Sequence, residues 1–408
     1  MATVPDWREK SRWFFHANEA QFEADASVRA MVERIVSGLR TDEERVAALN
    51  RWVAHHIRYR GFSLGPQEGY TMQPGSLVFA NRAGVCKDKA GMLVTMMRAL
   101  GYETYPAMTM AGARVERVAA DQFNHAVVAW RLSDGTFRML DPTWAPFSRD
   151  VWSRAETEQH YAIGTAEGED LRITPREGPD RNGVTVRLAA TLDAQGNLDG
   201  TVRIEPVGWI EDRLRRKLGH SSTLETRAII EEFAGRMSPG SSVASHRLVD
   251  PFDIDRPFFL EFGYRIERHA SVGTDTIRLA PAASRHPFGP CRALGDYVQA
   301  VTGDERASPV LLRAPQTVSA EERIVLPAGF DLEAPVERRV ESDAAAFEGS
   351  VSQEGRTLVI RARTVTRRRN VSTSEYAGLA EAVRTAREFA ETPIVLRRSV
   401  EQRRGGAR

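Results

Sequence analysis

The chain has 408 residues, which is too long for one ordinary hydrophobic core and predicts two or three domains. Its 56 basic residues balance its 55 acidic residues, so the charge argues against a general nucleic-acid or membrane-surface role. No apolar run approaches the roughly 20 residues that cross a bilayer, and the first residues show no signal-peptide pattern.

The N-terminal part of the chain carries two amphipathic helix patterns. Thr41 and Glu44 have the spacing of a capping box at the start of the second helix. Apolar residues recur at helical spacing in both patterns: Val28, Val32, Ile35 and Leu39, then Val46, Leu49, Val53 and Ile57. A turn-rich stretch from Gly61 to Ala83 follows.

The segment GVCKDKAGMLVTMMRALG predicts a helix with Cys86 at its start and Gly101 at its C-cap. A helix N-terminus and nearby cations favour the thiolate form of a cysteine. Lys87 and Lys89, two of only four lysines in the chain, flank Cys86 closely. They either tune the thiol electrostatically or belong, with Asp88, to a solvated helix face. The pattern indicates a reactive Cys86.

Strand patterns come next, in YETYPAMTM, HAVVAW and FRML. The last two are joined by a turn around Asp134 and Gly135. If that loop has three residues, the numbers of paired residues sum to 268, which places Asp141 opposite Val127 and on the same face as His125. A histidine hydrogen-bonded to a carboxylate is the partner that an acyl-transferring cysteine requires. The sequence therefore predicts Cys86 as nucleophile, His125 as base and Asp141 as the residue that orients the histidine.

The three blocks NRAGVCKDKAGMLVTMMRALGYE, FNHAVVAW and DGTFRMLDPTW together resemble the bacterial transglutaminase-like superfamily, which includes papain-like cysteine enzymes. The resemblance covers roughly Pro5 to Thr174, and Val85 stands where many relatives have an acidic residue. It implies an α+β core in which the cysteine helix packs on an antiparallel sheet. By analogy with papain-like sites it also implies Gln73 as a second oxyanion donor. Asn124 and Trp144 either shape the pocket or serve only in packing.

The patterns in the second half predict a mostly β or α+β region. VTVRLAATLDAQGNLDGTVRIEP predicts a hairpin turned at Gln195 to Gly200. Helices are expected from Thr223 to Met237 and in YAGLAEAVRTAREFA, with strands in FFLEFGYRIER, ERIVLP and GRTLVIRARTVT. The predicted domains are a catalytic domain at residues 1–176, a β-rich accessory region at 177–400 and a disordered tail at 401–408.

These features predict a cysteine-dependent enzyme that transfers an acyl group through a Cys86 thioester, by amide or peptide hydrolysis or by transfer to an amine. A peptide, a protein or another amide-bearing molecule is the expected substrate. Two alternatives stay open: a catalytically inactive binding or scaffolding module, and a scaffold redirected to carbohydrate chemistry, although the sequence shows no carboxylate pair for it.

The sequence also bears on cofactors, binding partners and location. No cofactor or metal is predicted, because the chain lacks HExxH and paired-cysteine patterns. Cys291, in a turn-rich setting, is expected to be structural. Neither nucleic-acid binding nor membrane insertion is expected. The resemblance implies a periplasmic or extracellular protein if a native N-terminal segment is missing.

Overall fold

The computed structural model of the chain describes residues 4–61, 69–111, 113, 115–144, 147–285, 301, 303 and 305–399. The chain divides into two units, Met1–Arg176 and Glu177–Arg408. In the described ranges, no helix has both the length and the apolar character needed to cross a membrane. The predicted disordered tail and Cys291 lie outside the described residues.

The first unit contains five helices in its described part, of which the second, third and fifth were predicted. Their bounds are α1 Trp7–Asn18, α2 Ala26–Val36, α3 Asp42–His56, α4 Gly75–Asn81 and α5 Cys86–Arg98. Thr41 and Glu44 form the predicted capping box of α3, each side chain bonding the other residue's backbone N–H. Helix α4 lies inside the stretch that the sequence presented only as turns, so that prediction is incomplete.

The five-stranded sheet of the first unit is antiparallel, with strands β3 Thr104–Thr109, β4 His125–Arg131, β5 Phe137–Leu140, β6 His160–Ile163 and β7 Arg172–Ile173. Two further short strands of this unit, β1 Arg58–Tyr59 and β2 Ala83–Gly84, pair with each other in parallel. The order in the five-stranded sheet is β5-β4-β3-β6-β7. Helix α5 packs against β3 and β4, and its residues from Lys87 to Met97 are buried all round. Helix α5 is therefore the centre of this core.

The second unit is built on a larger sheet. Its helices are α6 Trp209–Gly219, α7 Thr223–Met237 and α8 Tyr376–Glu391. Its strands are β8 Gly183–Leu192, β9 Leu198–Val207, β10 Ser241–Leu248, β11 Leu260–Ile266, β12 Ser271–Val272, β13 Thr276–Leu279, β14 Val310–Leu311, β15 Gln316–Val325, β16 Phe330–Leu332, β17 Val336–Glu341, β18 Ala345–Glu354, β19 Thr357–Thr366, β20 Asn370–Val371 and β21 Ile394–Arg398.

Eight of these strands form one mixed sheet in the order β10-β11-β9-β8-β15-β19-β18-β17, in which β8 and β15 pair in parallel. Helix α7 begins at Thr223 and ends at Met237, as predicted, and α8 packs on β17, β18 and β19. The β8–β9 hairpin turns between Leu192 and Leu198, so the predicted turn position was too late in the chain. The α+β class with a β-rich C-terminal region is confirmed.

Candidate active site

Cys86 is the first residue of α5, and the turn before it is held by a buried carboxylate. Asp88 is 1 % exposed. One of its oxygens accepts a hydrogen bond from the Val85 N–H at 3.0 Å, and the other accepts from the Gln73 N–H at 3.1 Å. A Cβ on Gly84 would lie 2.5 Å from the Asp88 Cβ, so only glycine permits this approach. Asp88 thus joins the residue directly before Cys86 to the loop at Gln73.

Replacing Asp88 by alanine is expected to lower the free energy of unfolding of this unit by about 3 kcal/mol, because one buried and one partly buried N–H donor would lose their acceptor. Urea unfolding followed by tryptophan fluorescence measures the change. Asp88→Asn keeps one acceptor oxygen and should fall between the wild type and Asp88→Ala. Equal stability of all three proteins would show that the two bonds contribute nothing measurable.

His125 and Asp141 meet through the predicted strand register. Val128 pairs with Leu140 and Ala129 with Met139, so each pair sums to 268. His125 opens β4, and Asp141 directly follows β5 at the same end of the sheet. The His125 Nε2 lies 2.8 Å from the Asp141 Oδ2, and both side chains are buried. The conditional prediction that these two residues face each other is confirmed.

The second oxygen of Asp141 is also engaged. Its Oδ1 accepts a hydrogen bond from the Thr143 N–H at 2.8 Å. The carboxylate therefore accepts two hydrogen bonds and is held in one orientation. Because Nε2 of His125 is directed to Asp141, Nδ1 is the ring nitrogen left for the contact with Cys86, and the imidazole bridges the thiol and the carboxylate.

The electrostatics of the thiol and the imidazole are coupled. Burial raises the pKa of Cys86, but the hydrogen bond and charge of His125 and the Ala126 N–H outweigh it, so that pKa lies below its usual value. Burial lowers the pKa of His125, yet the charge and hydrogen bond of Asp141, with Cys86 and Glu156, hold that pKa well above its ordinary range. Both shifts favour a thiolate–imidazolium pair.

The lysines beside Cys86 do not form a solvated helix face, so that alternative from the sequence was wrong. Lys87, Asp88 and Lys89 are all buried. Lys87 Nζ donates to the Gly69 carbonyl at 2.9 Å, and Lys89 Nζ donates to the carbonyls of Ala54 and Ile57 at 2.9 and 2.7 Å. These contacts tie α5 to the preceding loop and to the end of α3. A direct action of Lys87 on the sulfur stays a prediction.

The three remaining candidates have different surroundings. Asn124 pairs with the backbone of Ala111 through both ends of its amide, which closes the loop before His125. The Trp144 ring lies 6.1 Å from the His125 ring, centroid to centroid, so it flanks the imidazole. Gln73 lies close to Val85 because both N–H groups bind Asp88. Gln73 as an oxyanion donor stays a prediction.

Glu156 is a buried acidic residue near the histidine that sequence reasoning missed. It lies in a short 3-10 helix, Arg154–Glu156, and is 1 % exposed. One donor atom each of His125, Asp141 and Glu156 lie within 4.8 Å of one another. A metal could reach the His125–Asp141 pair only by replacing the proton between Nε2 and Oδ2. No periodicity or motif around Glu156 indicates this position, because the chain reaches it through irregular structure.

This fold and site define a class of α+β proteins in which a thiol at a helix start meets a histidine–carboxylate pair on an antiparallel sheet. The chain carries a domain of the transglutaminase-like superfamily, whose family model matches residues 29–142. A second family model, a domain of unknown function with a solved structure, matches residues 290–396. The predicted superfamily is thereby confirmed.

Known relatives resemble parts of the chain. Human kyphoscoliosis peptidase is 26 % identical over 128 residues, which are 31 % of this chain and 19 % of the relative. The mouse protein is 24 % identical over 131 residues, 31 % of this chain and 20 % of the relative. The chain therefore matches about a fifth of the length of these peptidases.

A solved structure shares the fold over most of the chain. A candidate protease from Parabacteroides distasonis superposes with a TM-score of 0.56 and 9 % identity, covering 97 % of this chain and 59 % of that one. At this identity the likeness concerns the fold. The superfamily domain and the peptidase relatives support an enzyme of the cysteine-dependent hydrolase or transferase kind.

Proposed function

We propose that the protein transfers acyl groups through a thioester on Cys86 and hydrolyses an amide or peptide bond. The observation that carries this proposal is the hydrogen-bonded series of the partly buried Cys86, at the start of α5, with the buried His125 and Asp141. A binding module has no need of a thiol whose pKa is lowered by an imidazolium. The peptidase relatives favour a peptide substrate.

In the first half of the reaction, the Cys86 thiolate attacks the carbonyl carbon, and a C–S bond forms as the carbonyl π electrons move to oxygen. Cys86 is the first residue of α5, so its backbone N–H has no acceptor within the helix and can bind that oxygen. When the intermediate collapses, the C–N bond breaks and His125 gives its proton to the leaving amine.

In the second half, His125 takes a proton from water, and the resulting hydroxide attacks the thioester carbon. The C–S bond breaks, the carboxylic acid leaves, and the thiolate–imidazolium pair is restored. An amine in place of water would give transfer instead of hydrolysis. Asp141 stabilises the imidazolium and keeps the ring oriented in both halves.

The structure brings together a carboxylate pair that the sequence did not reveal, Asp141 and Glu156. Both are almost fully buried and both raise the pKa of His125. These contacts support an electrostatic role on the imidazole and give carbohydrate chemistry no separate support. The proposal therefore keeps the thiol as the reacting group.

Trapping of the acyl-enzyme tests the proposal. The full-length chain is mixed with a library of peptide esters and amides at pH 6, quenched in acid and digested, and the peptides are analysed by mass spectrometry. We expect an acyl adduct on the Cys86 peptide that hydroxylamine releases, and an unmodified Cys291 peptide. Adducts on both cysteines in equal amount, or on Cys291 alone, would contradict a specific Cys86 thioester.

A further inference from the structure

The 3-10 helix Arg154–Glu156 places a second carboxylate beside the histidine that the proposed mechanism does not use. Glu156 lies in the same cluster as His125 and Asp141, with donor atoms within 4.8 Å of each other. His125 is 8 % exposed, and Asp141 and Glu156 are each 1 % exposed, so all three residues are buried. At such a separation two charges interact strongly when water is excluded between them.

We infer that Glu156 is a positioning residue that stabilises the protonated form of His125 and so maintains the thiolate–imidazolium pair. The inference rests on the proposed function, because it concerns the same thiol chemistry. Glu156 acts through the imidazole and does not contact the substrate.

The charges that face His125 come from three elements. Cys86 approaches from α5, Asp141 from the segment after β5, and Glu156 from the 3-10 helix. The Cys86 thiolate and Asp141 each favour the imidazolium. Asp141, however, also opposes the Cys86 thiolate. Glu156 raises the pKa of His125, so it supports the cation in addition to Asp141.

The backbone contacts of Glu156 explain why its charge can be tested separately from its packing. Its N–H donates to the Ser153 carbonyl, and its carbonyl accepts from the Thr174 hydroxyl at 2.6 Å. Neither bond involves the side chain. Glu156→Gln keeps the approximate size of the side chain and both backbone bonds, and it removes the negative charge.

Glu158 offers a matched control. It lies two residues further along, and its carboxylate pairs with Arg176 at 3.1 Å. It is not among the groups that shift the pKa of His125. Glu158→Gln therefore makes the same chemical change in the same segment without altering the charge that faces the imidazole.

The test follows the ring signal of His125 by NMR in the full-length chain during a pH titration, with the signal assigned by its loss in His125→Asn. We expect Glu156→Gln to move the titration midpoint to lower pH by about one pH unit or more. Glu158→Gln should leave the midpoint in place, and Glu156→Asp, which keeps the charge, should restore most of it. Glu156→Ala provides a second uncharged side chain if Glu156→Gln does not fold, with the same expected fall.

Iodoacetamide labelling of Cys86 in the same samples distinguishes a failure of the role of Glu156 from a failure of the proposed function. An unchanged His125 midpoint in the uncharged variants, with rapid labelling of Cys86, would overturn the role of Glu156 and leave the proposed function standing. A midpoint that follows the length of the side chain instead of its charge would overturn it as well. Slow labelling of wild-type Cys86, like that of an ordinary thiol, would instead overturn the proposed function.

Discussion

Replacing His125 by alanine is expected to slow the alkylation of Cys86 by iodoacetamide at pH 6, about tenfold for each pH unit by which the imidazole lowers the pKa of the thiol. An ordinary thiol has a pKa of about 8.5, so only about one part in 300 is thiolate at pH 6. In the wild type, the hydrogen bond and charge of His125 lower the pKa of Cys86 against the effect of burial. Without the imidazole, burial acts on the thiol almost alone, which can only enlarge the loss.

The pH dependence of the same reaction has a definite sign. In the wild type, labelling should persist to lower pH than that of an ordinary thiol, because the pKa of Cys86 is lowered. In His125→Ala, the rate should fall about tenfold for each pH unit below the ordinary thiol pKa of about 8.5. Rates are measured by mass spectrometry of the Cys86 peptide over a series of buffers.

His56→Ala is the control for the loss of an imidazole. His56 is exposed at the end of α3 and stacks on Trp52, with ring centroids 4.9 Å apart. It is not among the groups that shift the pKa of Cys86, so labelling should be unaffected. Equal labelling rates in the wild type and His125→Ala at pH 6 would mean that the imidazole does not activate the thiol.

Asp141→Asn is expected to reduce kcat/KM for an amide substrate by about 10³- to 10⁴-fold, as the loss of the orienting carboxylate does in histidine-dependent acyl transfer. Asp141 accepts hydrogen bonds from both the His125 Nε2–H and the Thr143 N–H. An asparagine has one acceptor oxygen, so its amide NH₂ must face one of these two donors. The imidazole then loses either its orientation or its favoured tautomer, and its protonated form loses an adjacent negative charge.

Asp150→Asn provides the comparison for Asp141→Asn. Asp150 pairs with Arg154 at 2.6 Å, and its side chain is 43 % exposed. Removing this charge should leave kcat/KM nearly unchanged, since a partly exposed ion pair contributes little. Circular dichroism of both variants verifies the fold. A properly folded Asp141→Asn protein with wild-type turnover would remove Asp141 from the mechanism.

Local sequence patterns were sufficient to predict a feature wherever residues of a single element determine it. The capping box at Thr41 and the start of α5 at Cys86 could be predicted because capping and amphipathic periodicity act within a few residues. The β4–β5 register could be predicted because a three-residue turn determines which residues pair. By contrast, α1 was missed, since Trp7 is anchored by a hydrogen bond to the Arg117 carbonyl, far away in the chain.

The start of α5 shows which features follow from the sequence and which follow from the tertiary structure. The sequence by itself determined that Cys86 begins a helix, and that His125 and Asp141 lie at the same end of two paired strands, because capping, periodicity and register are local or nearly local properties. Only the tertiary structure decided that Lys87 and Lys89 bind backbone carbonyls, that Asp88 joins the Gln73 loop to the helix start, and that Glu156 reaches the imidazole. Such contacts join residues from separate parts of the fold. Burial strengthens the electrostatic interactions among their charges, because it excludes water.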